Sequence, residues 1–397
     1  MFLGDSQMRH RQVNLDKSMI QLKKEKLILF FTFGVSLKIW NDVGILDREI
    51  EIYKKLSRYL RRIYFLDYGS ESELNFLKRL GDVKLLHNKW CFKPILFSLL
   101  APFLYWREMK EAFFFKTNQI NGSWTAIIAK FFFRKKLIVR CGYLPSLLYR
   151  RKRGENRYKG EIANLLEPLA FRAADKIFLT TEEMQKYVTD RYGVEENKVK
   201  VVPNFVNTDV FKHLPEIKKE KRRICFIGRL SEEKNIFSLL DALKDIENIK
   251  LVIIGDGPLR KKLQEKVKKD RINADFLGNI PNHQLPKQLN KSEVFILPSI
   301  HEGHPKTLLE AMACELPVIG TDVSGIREVI THKENGYLCG TSSKEIKKAI
   351  IEVLKNDKLK TKMGKKGREF ITKTCSVEKI LEQELETLRE LVNSPRP

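Results

Sequence analysis

Strand-length apolar runs alternate with helical patterns along this chain, in two separate series. Residues 27–33, 62–66, 136–139 and 176–179 read as strands of the first series, with a helix over 46–60. The second series has strands at 223–227, 251–254, 275–277, 293–297 and 318–319, with helices near 235–243, 259–269 and 304–314. Such alternation predicts βαβ units and parallel sheets, because parallel neighbours need a crossover that a helix supplies. Two doubly wound α/β halves are expected, and 397 residues are too many for one ordinary core. The expected divisions are an N-terminal extension over 1–26, a first doubly wound domain over 27–206, a linker over 207–221, a second such domain over 222–375, and a C-terminal segment over 376–397. The linker stretch is polar, charged and without periodicity. The amphipathic run 377–392 predicts a long helix that packs back on the first half.

Composition narrows the setting. The six cysteines, Cys91, Cys141, Cys225, Cys314, Cys339 and Cys375, are scattered without C-x-x-C pairs, which argues for a reducing compartment. The first 26 residues lack the apolar core of a signal peptide, and no run reaches the roughly eighteen apolar residues of a membrane span. A cytoplasmic protein is expected. A net charge of +24 attracts anions: nucleic acid, acidic lipid headgroups or phosphorylated substrates. Arg150, Arg151, Lys152, Arg153, Arg157 and Lys159 cluster in the half that also holds the aromatic segment 90–106. Together they fit peripheral contact with the inner face of an anionic membrane, although a solvated basic face and a core helix would look the same. No nucleic-acid partner is expected, since neither zinc-finger spacing nor an RNP-like aromatic motif is present.

The second half carries the chemistry. Its first strand ends in Gly228-Arg229-Leu230-Ser231-Glu232-Glu233-Lys234-Asn235, a glycine turn with two cations five positions apart. Glycine lets backbone N–H groups approach a phosphate, and Arg229 with Lys234 can neutralise a diphosphate. A plain strand–Gly–Arg turn with a surface lysine would read alike. Gly255 and Gly257 follow the next strand as G-x-G, without the third glycine of a dinucleotide fingerprint or the G-K-[ST] of a P-loop, so close backbone approach is their expected role. Glu302 and Glu310 stand at E-x7-E spacing, the first in the turn after a strand and the second about two turns into a helix whose start Pro305 suits. Ligands bind at that strand edge in open α/β sheets. A helix-dipole acid followed by a solvated glutamate is the plainer alternative. His301 and His304 form H-E-G-H rather than H-E-x-x-H, with no third ligand placed, so no metal is expected. In the first half, Gly34 and Ser36 follow the first strand, near Trp40 and Gly44, and Arg140 ends another. These are the acceptor or phosphate candidates; a turn residue and a structural ion pair are their plainer readings.

In this order, the motifs resemble the family 4 group of retaining glycosyltransferases over about 201–330. The resemblance rests on Val202-Pro203-Asn204-Phe205-Val206-Asn207 with Phe211, Gly228-Arg229-Leu230 with Lys234, Gly255-Asp256-Gly257-Pro258, Phe276-Leu277-Gly278, Pro298-Ser299, Glu302, Glu310 with Ala311-Met312-Ala313, and Pro317-Val318-Ile319. It implies the GT-B architecture, two Rossmann-like domains facing an interdomain cleft. It also implies that Arg229 and Lys234 hold the donor diphosphate, Glu310 the ribose hydroxyls and Glu302 the donor sugar. Gly228, Gly255, Gly257, Gly303, His304, Leu308 and Leu309 would line the donor, with backbone groups at the two leucines meeting phosphates. Three positions depart from the family pattern: His304 replaces an aromatic, Glu315 a glycine, and Asn207 an aspartate. The first two bear on sugar preference or helix capping, and neither removes a charge that the chemistry needs.

The function implied is a hexosyltransferase that moves a sugar, with retention, from a nucleotide-diphosphate sugar to a glycan or lipid-linked acceptor in cell-surface polysaccharide or glycoconjugate synthesis. No cofactor or metal is implied, because the two cations carry the electrostatic work. Two other readings stay open: a GT-B phosphorylase or nucleotide-sugar epimerase, and a non-catalytic binder of anionic surfaces. A binder needs positive charge alone and leaves the ordered acids unexplained.

Overall fold

The structure is a computed structural model that describes residues 19–146 and 157–395. The chain divides into two compact units, one formed by Met1–Trp40, Glu49–Val202 and Leu381–Pro397, the other by Asn41–Arg48 and Pro203–Ile380.

In the first unit, β1 (Lys26–Phe30), β2 (Arg62–Leu66), β3 (Lys84–Leu86), β4 (Phe114–Thr117), β5 (Lys136–Cys141), β6 (Lys176–Leu179) and β7 (Val199–Val201) form a parallel sheet in the order β3-β2-β1-β4-β5-β6-β7. Strands covered on both faces read as continuous apolar runs, and Leu27, Ile28 and Leu29 are completely buried. β1 stops at Phe30, short of the expected residue 33, because the chain turns through Gly34 at φ +72°. Ser36 Oγ then accepts the Ile39 N–H at 3.3 Å and caps the Leu37–Asp42 helix. The same helix start is held by the Asp67 carboxylate, which accepts the Leu37 N–H at 2.7 Å, and by Glu73, which accepts the Lys38 N–H at 2.8 Å. Burial, with Glu73 adding to it, pushes the Asp67 pKa up to about 8.

The Val377–Asn393 helix buries Leu385, Leu388 and Leu391, and its residues from Leu381 onward count with the first unit. There Glu384 meets Lys116 of β4, with Nζ 2.7 Å from both carboxylate oxygens.

In the second unit, β8 (Arg223–Ile227), β9 (Lys250–Ile254), β10 (Ala274–Gly278), β11 (Val294–Leu297), β12 (Val318–Thr321) and β13 (Tyr337–Cys339) form a parallel sheet in the order β10-β9-β8-β11-β12-β13. Both sheets follow the doubly wound pattern, in which strand order reverses beside the first strand. The polar stretch 207–221, expected as a linker, lies inside this second unit. Phe211 is buried there, and the Arg368 guanidinium donates to the carbonyls of Thr208, Phe211 and Ala313.

Element limits shift where proline or chain turns intervene. The helix expected over 304–314 spans Lys306–Ala313, because Pro305 stays extended as its N-cap. The helix expected over 46–60 ends at Leu56, and the aromatic segment 90–106 becomes the Pro94–Leu104 helix with the start of Trp106–Glu111.

Candidate active site

The reversal point of the second sheet lies between β8 and β11, so the loops leaving their C-terminal ends flank the position where α/β sheets take ligands. The loop after β8 carries Gly228, Arg229 and Lys234, and the loop after β11 carries Glu302, Gly303 and His304. The structure brings two of the expected catalytic residues together: Lys234 Nζ lies 2.6 Å from Glu302 Oε1. Ser299 Oγ donates to the same oxygen at 2.6 Å, and the Thr321 hydroxyl donates to the Ser299 carbonyl. Glu302 is therefore held by two donors, of which Ser299 is itself fixed by Thr321 at the end of β12. Further bonds tie the two loops. Ile300 N–H donates to the Glu233 carbonyl at 2.9 Å, and Asn235, at φ 52°, donates its side-chain amide to the Pro298 carbonyl at 3.1 Å.

Arg229 is exposed and, among the described residues, has no ion-pair partner. One cation of the expected pair is thus held by an acid, while the other remains available to an anion.

Gly255 and Gly257 serve the loop after β8 directly. A Cβ at Gly255, whose φ is +125°, would stand 2.1 Å from the Gly228 carbonyl oxygen, and one at Gly257 would stand 2.4 Å from that of Leu230. The absent side chains let the two loops bond: Leu230 N–H donates to Asp256 at 3.0 Å, and Leu259 N–H donates to Leu230 at 3.0 Å. Close backbone approach, the role expected from sequence, is what these contacts show. Gly303 is packed in the same way, its carbonyl oxygen 1.5 Å from where a Gly325 Cβ would be.

Glu310 sits on the Lys306–Ala313 helix with its side chain 1% exposed. Its Oε1 accepts from Asn282 Nδ2 at 2.9 Å and from Arg48 Nη1 at 3.3 Å, whereas the buried Oε2 has no hydrogen-bond partner. A buried carboxylate oxygen left unsatisfied costs about 1–3 kcal/mol.

Three expected donor-site residues have buried side chains. Leu308 and Leu309 are completely buried in the core of the second unit, so only their backbone groups could meet a ligand, as expected. Their backbone N–H groups donate to the Pro305 carbonyl at 3.1 and 3.3 Å, closing the first helical turn. His304 is also mostly buried. Its ring nitrogen Nδ1 accepts from the Asn204 N–H at 3.3 Å, and Asn204 Nδ2 donates back to the His304 carbonyl at 2.7 Å. The histidine that replaces the usual aromatic thus fixes the Pro203–Asn204 segment.

In the first unit, Ser36 is the helix cap and Gly34 the turn described above. Arg140 is the penultimate residue of β5, where its N–H donates to Thr117 Oγ1 at 3.1 Å. Its charge acts on the buried Lys116 and Tyr53, which puts it beside the Lys116–Glu384 pair. Among the described residues, no group of three potential metal ligands is present. Sequence reasoning missed Arg48 and Asn282, which no local motif marks, and met Ser299 only as part of the Pro298-Ser299 motif, with no role assigned to it.

Known proteins share both the motifs and the fold. The profile of Glycosyl transferases group 1 matches residues 208–370, and that of Glycosyltransferase Family 4 matches residues 86–210. MJ1178 of Methanocaldococcus jannaschii, named as an uncharacterized glycosyltransferase, is 30% identical over 203 residues, 50% of this chain and 55% of that one. The N-acetylgalactosamine-N,N'-diacetylbacillosaminyl-diphospho-undecaprenol 4-alpha-N-acetylgalactosaminyltransferase of Campylobacter jejuni is 26% identical over 288 residues, 69% of this chain and 77% of that one. The structure of Anabaena HepE in complex with UDP and glucose matches with a TM-score of 0.76, over 92% of this chain and 99% of that one, at 18% identity, a likeness of fold. With MJ1178 and several other curated relatives, the chain spans about half of the relative's length. The two profiles follow one another along the chain and fall on two parallel doubly wound sheets, so the chain belongs to the family 4-like glycosyltransferases of the GT-B fold.

Proposed function

We propose that this protein moves a sugar from a nucleotide-diphosphate sugar to a hydroxyl of a glycan or lipid-linked acceptor, with retention at the anomeric carbon. The observation that carries this reading is the Lys234–Glu302 pair at the reversal point of the second sheet, with Arg229 in the same loop as Lys234 and without an ion-pair partner among the described residues. The two cations neutralise the departing diphosphate, supplying the charge stabilisation that a metal would otherwise provide. Glu302 holds the donor sugar and keeps Lys234 aimed. The bond from the anomeric carbon to the phosphate oxygen breaks while the acceptor oxygen bonds on the same face, and the leaving diphosphate takes the acceptor's proton. Glu310 offers Oε2 to the ribose hydroxyls. Two named relatives agree with this chemistry: HepE was captured with UDP and glucose, and the Campylobacter enzyme's name specifies a diphospho-undecaprenol substrate. A thermal-shift screen over nucleoside diphosphates and nucleotide sugars tests the reading, since a ligand that binds only the folded state raises the melting temperature. Stabilisation by sugar phosphates alone would favour a phosphorylase.

Glu310→Gln is expected to lower kcat/KM about ten- to a hundredfold while leaving the fold intact, the equivalent of losing a charged hydrogen bond of about 1.5–3 kcal/mol. A variant that melts well below the parent but turns over normally would make Glu310 structural.

For the acceptor side, the proposal includes contact with an anionic membrane. The Pro94–Leu104, Trp106–Glu111 and Ser123–Phe133 helices leave Phe103, Trp106, Phe131 and Phe132 exposed, the last two at 76% and 57%. Phe132 packs its ring 4.9 Å from Phe103 and 5.2 Å from Phe131, so these aromatics form one patch. Exposed Lys93, Arg107, Lys110 and Arg134 lie on or beside the same helices. Aromatic bodies edged by cations suit the boundary between headgroups and acyl chains. No described helix is long and apolar enough to cross a membrane. Of the basic cluster expected to contribute, Arg150, Arg151, Lys152 and Arg153 lie outside the described residues. Binding to anionic vesicles should weaken steeply with salt, each basic residue near the surface contributing about 1 kcal/mol, and a Phe131→Ser/Phe132→Ser variant should bind less. Equal sedimentation with neutral and anionic vesicles at low salt would remove the membrane from the account.

A further inference from the structure

The first sequence half sends one short segment into the second unit: residues Asn41–Arg48 count with it. That segment is fixed against the turn that follows β10. A Cβ at Gly44, whose φ is +78°, would stand 2.7 Å from the Ile280 carbonyl oxygen, so glycine alone permits the approach. The Gly44 carbonyl accepts the Asn282 N–H at 2.9 Å, and Asp47 lies 3.2 Å from His283 Nδ1. These contacts deliver Arg48 to Glu310, with Nη1 3.3 Å from Oε1 and side-chain exposures of 15% and 1%. Asn282, held by the same segment, donates to that oxygen as well.

We propose that Arg48 is a positioning residue for the nucleotide site: it immobilises one oxygen of Glu310 so that the other, Oε2, selects donors carrying a ribose rather than a deoxyribose. This rests on the transferase reading above. A buried carboxylate needs a compensating cation, and a guanidinium keeps its charge throughout the working pH range. Two donors on Oε1 fix the carboxyl plane, so that Oε2 is left with one orientation and no protein partner. A site whose buried acceptor is satisfied by a substrate hydroxyl discriminates strongly against the analogue lacking that hydroxyl. Without Arg48 the carboxylate is free to rotate or recruit water, and the discrimination fades.

Calorimetric titration of the full chain with UDP and 2′-deoxy-UDP, and with GDP and 2′-deoxy-GDP, tests the idea. The parent should bind one ribonucleotide at least tenfold more tightly than its deoxy partner. Glu310→Gln should abolish the preference, and Arg48→Ala should reduce it to about threefold or less. Arg48→Gln, which keeps a donor of similar reach, should restore part of the preference, and it serves if the alanine variant fails to fold. An Arg48 variant that binds both nucleotides more weakly but keeps the full preference would reduce Arg48 to a structural clamp and overturn the proposal. A preference that survives Glu310→Gln would overturn the ribose assignment as well. If the parent binds none of the four nucleotides, the transferase reading itself falls.

Discussion

Arg229→Ala and Lys234→Ala should each lower kcat about a hundredfold or more, measured with a nucleotide sugar and a short soluble acceptor. A departing diphosphate gains negative charge as its bond to the anomeric carbon breaks, so a cation placed there stabilises the transition state more than the ground state. Arg229 is exposed and unpaired among the described residues, and its removal leaves no buried group stranded. Its melting temperature should therefore stay close to the parent's while turnover collapses. Lys234 differs because it also neutralises Glu302 from 2.6 Å. Lys234→Ala should lose stability as well as turnover, and adding Glu302→Gln should recover stability without recovering turnover. Neutralising two residues of the Arg150 to Lys159 cluster removes as much formal charge, yet it should spare transfer to the soluble acceptor. If the cluster variant loses turnover while Arg229→Ala and Lys234→Ala retain near-parental kcat, the phosphate assignment is wrong and a general anion-binding role gains.

The candidate-site residues legible in the sequence are those whose chemistry and chain context coincide. Gly228, Arg229 and Lys234 follow a strand directly, and Glu302 follows the strand that the doubly wound order makes the neighbour of the first. A strand edge predicts exposure to ligand for all four, and local pattern suffices for that. Leu308 and Leu309 show where such reasoning stops. They lie in the same loop-to-helix region, but the helix turns their side chains into the core, and only the packed face reveals it. Arg48 was illegible for a different reason. Its partner is 262 positions away, and an ion pair between two elements of unlike sequence carries no periodicity or spacing to read. The stretch 207–221 reads as a linker because it is polar without periodicity; the Arg368 fork that satisfies two of its carbonyls lies 157 and 160 residues later, beyond any local pattern.

Lys116 offers the largest expected effect on stability. It stands in β4 after three consecutive phenylalanines, a place where sequence alone predicts an apolar side chain, and it is 1% exposed. Burial pushes its pKa down, while the Glu384 carboxylate opposes that shift from 2.7 Å. The Tyr53 and Phe178 rings lie 5.0 and 5.7 Å from the ammonium, completing an apolar and aromatic enclosure. Removing one member of such a pair strands the other charge in a dry site, which costs about 3–5 kcal/mol. Lys116→Ala should therefore lower the melting temperature of the first unit by roughly 10 °C, taking about 2–4 °C per kcal/mol for a unit of this size. Because Glu384 lies on the Val377–Asn393 helix, amide exchange should rise first in that helix. The double variant Lys116→Met/Glu384→Leu tests the cause, since similar volume without charge should return most of the lost stability. A double variant as unstable as the single one would show that packing around the lysine stem, and not the stranded carboxylate, is what the substitution removes.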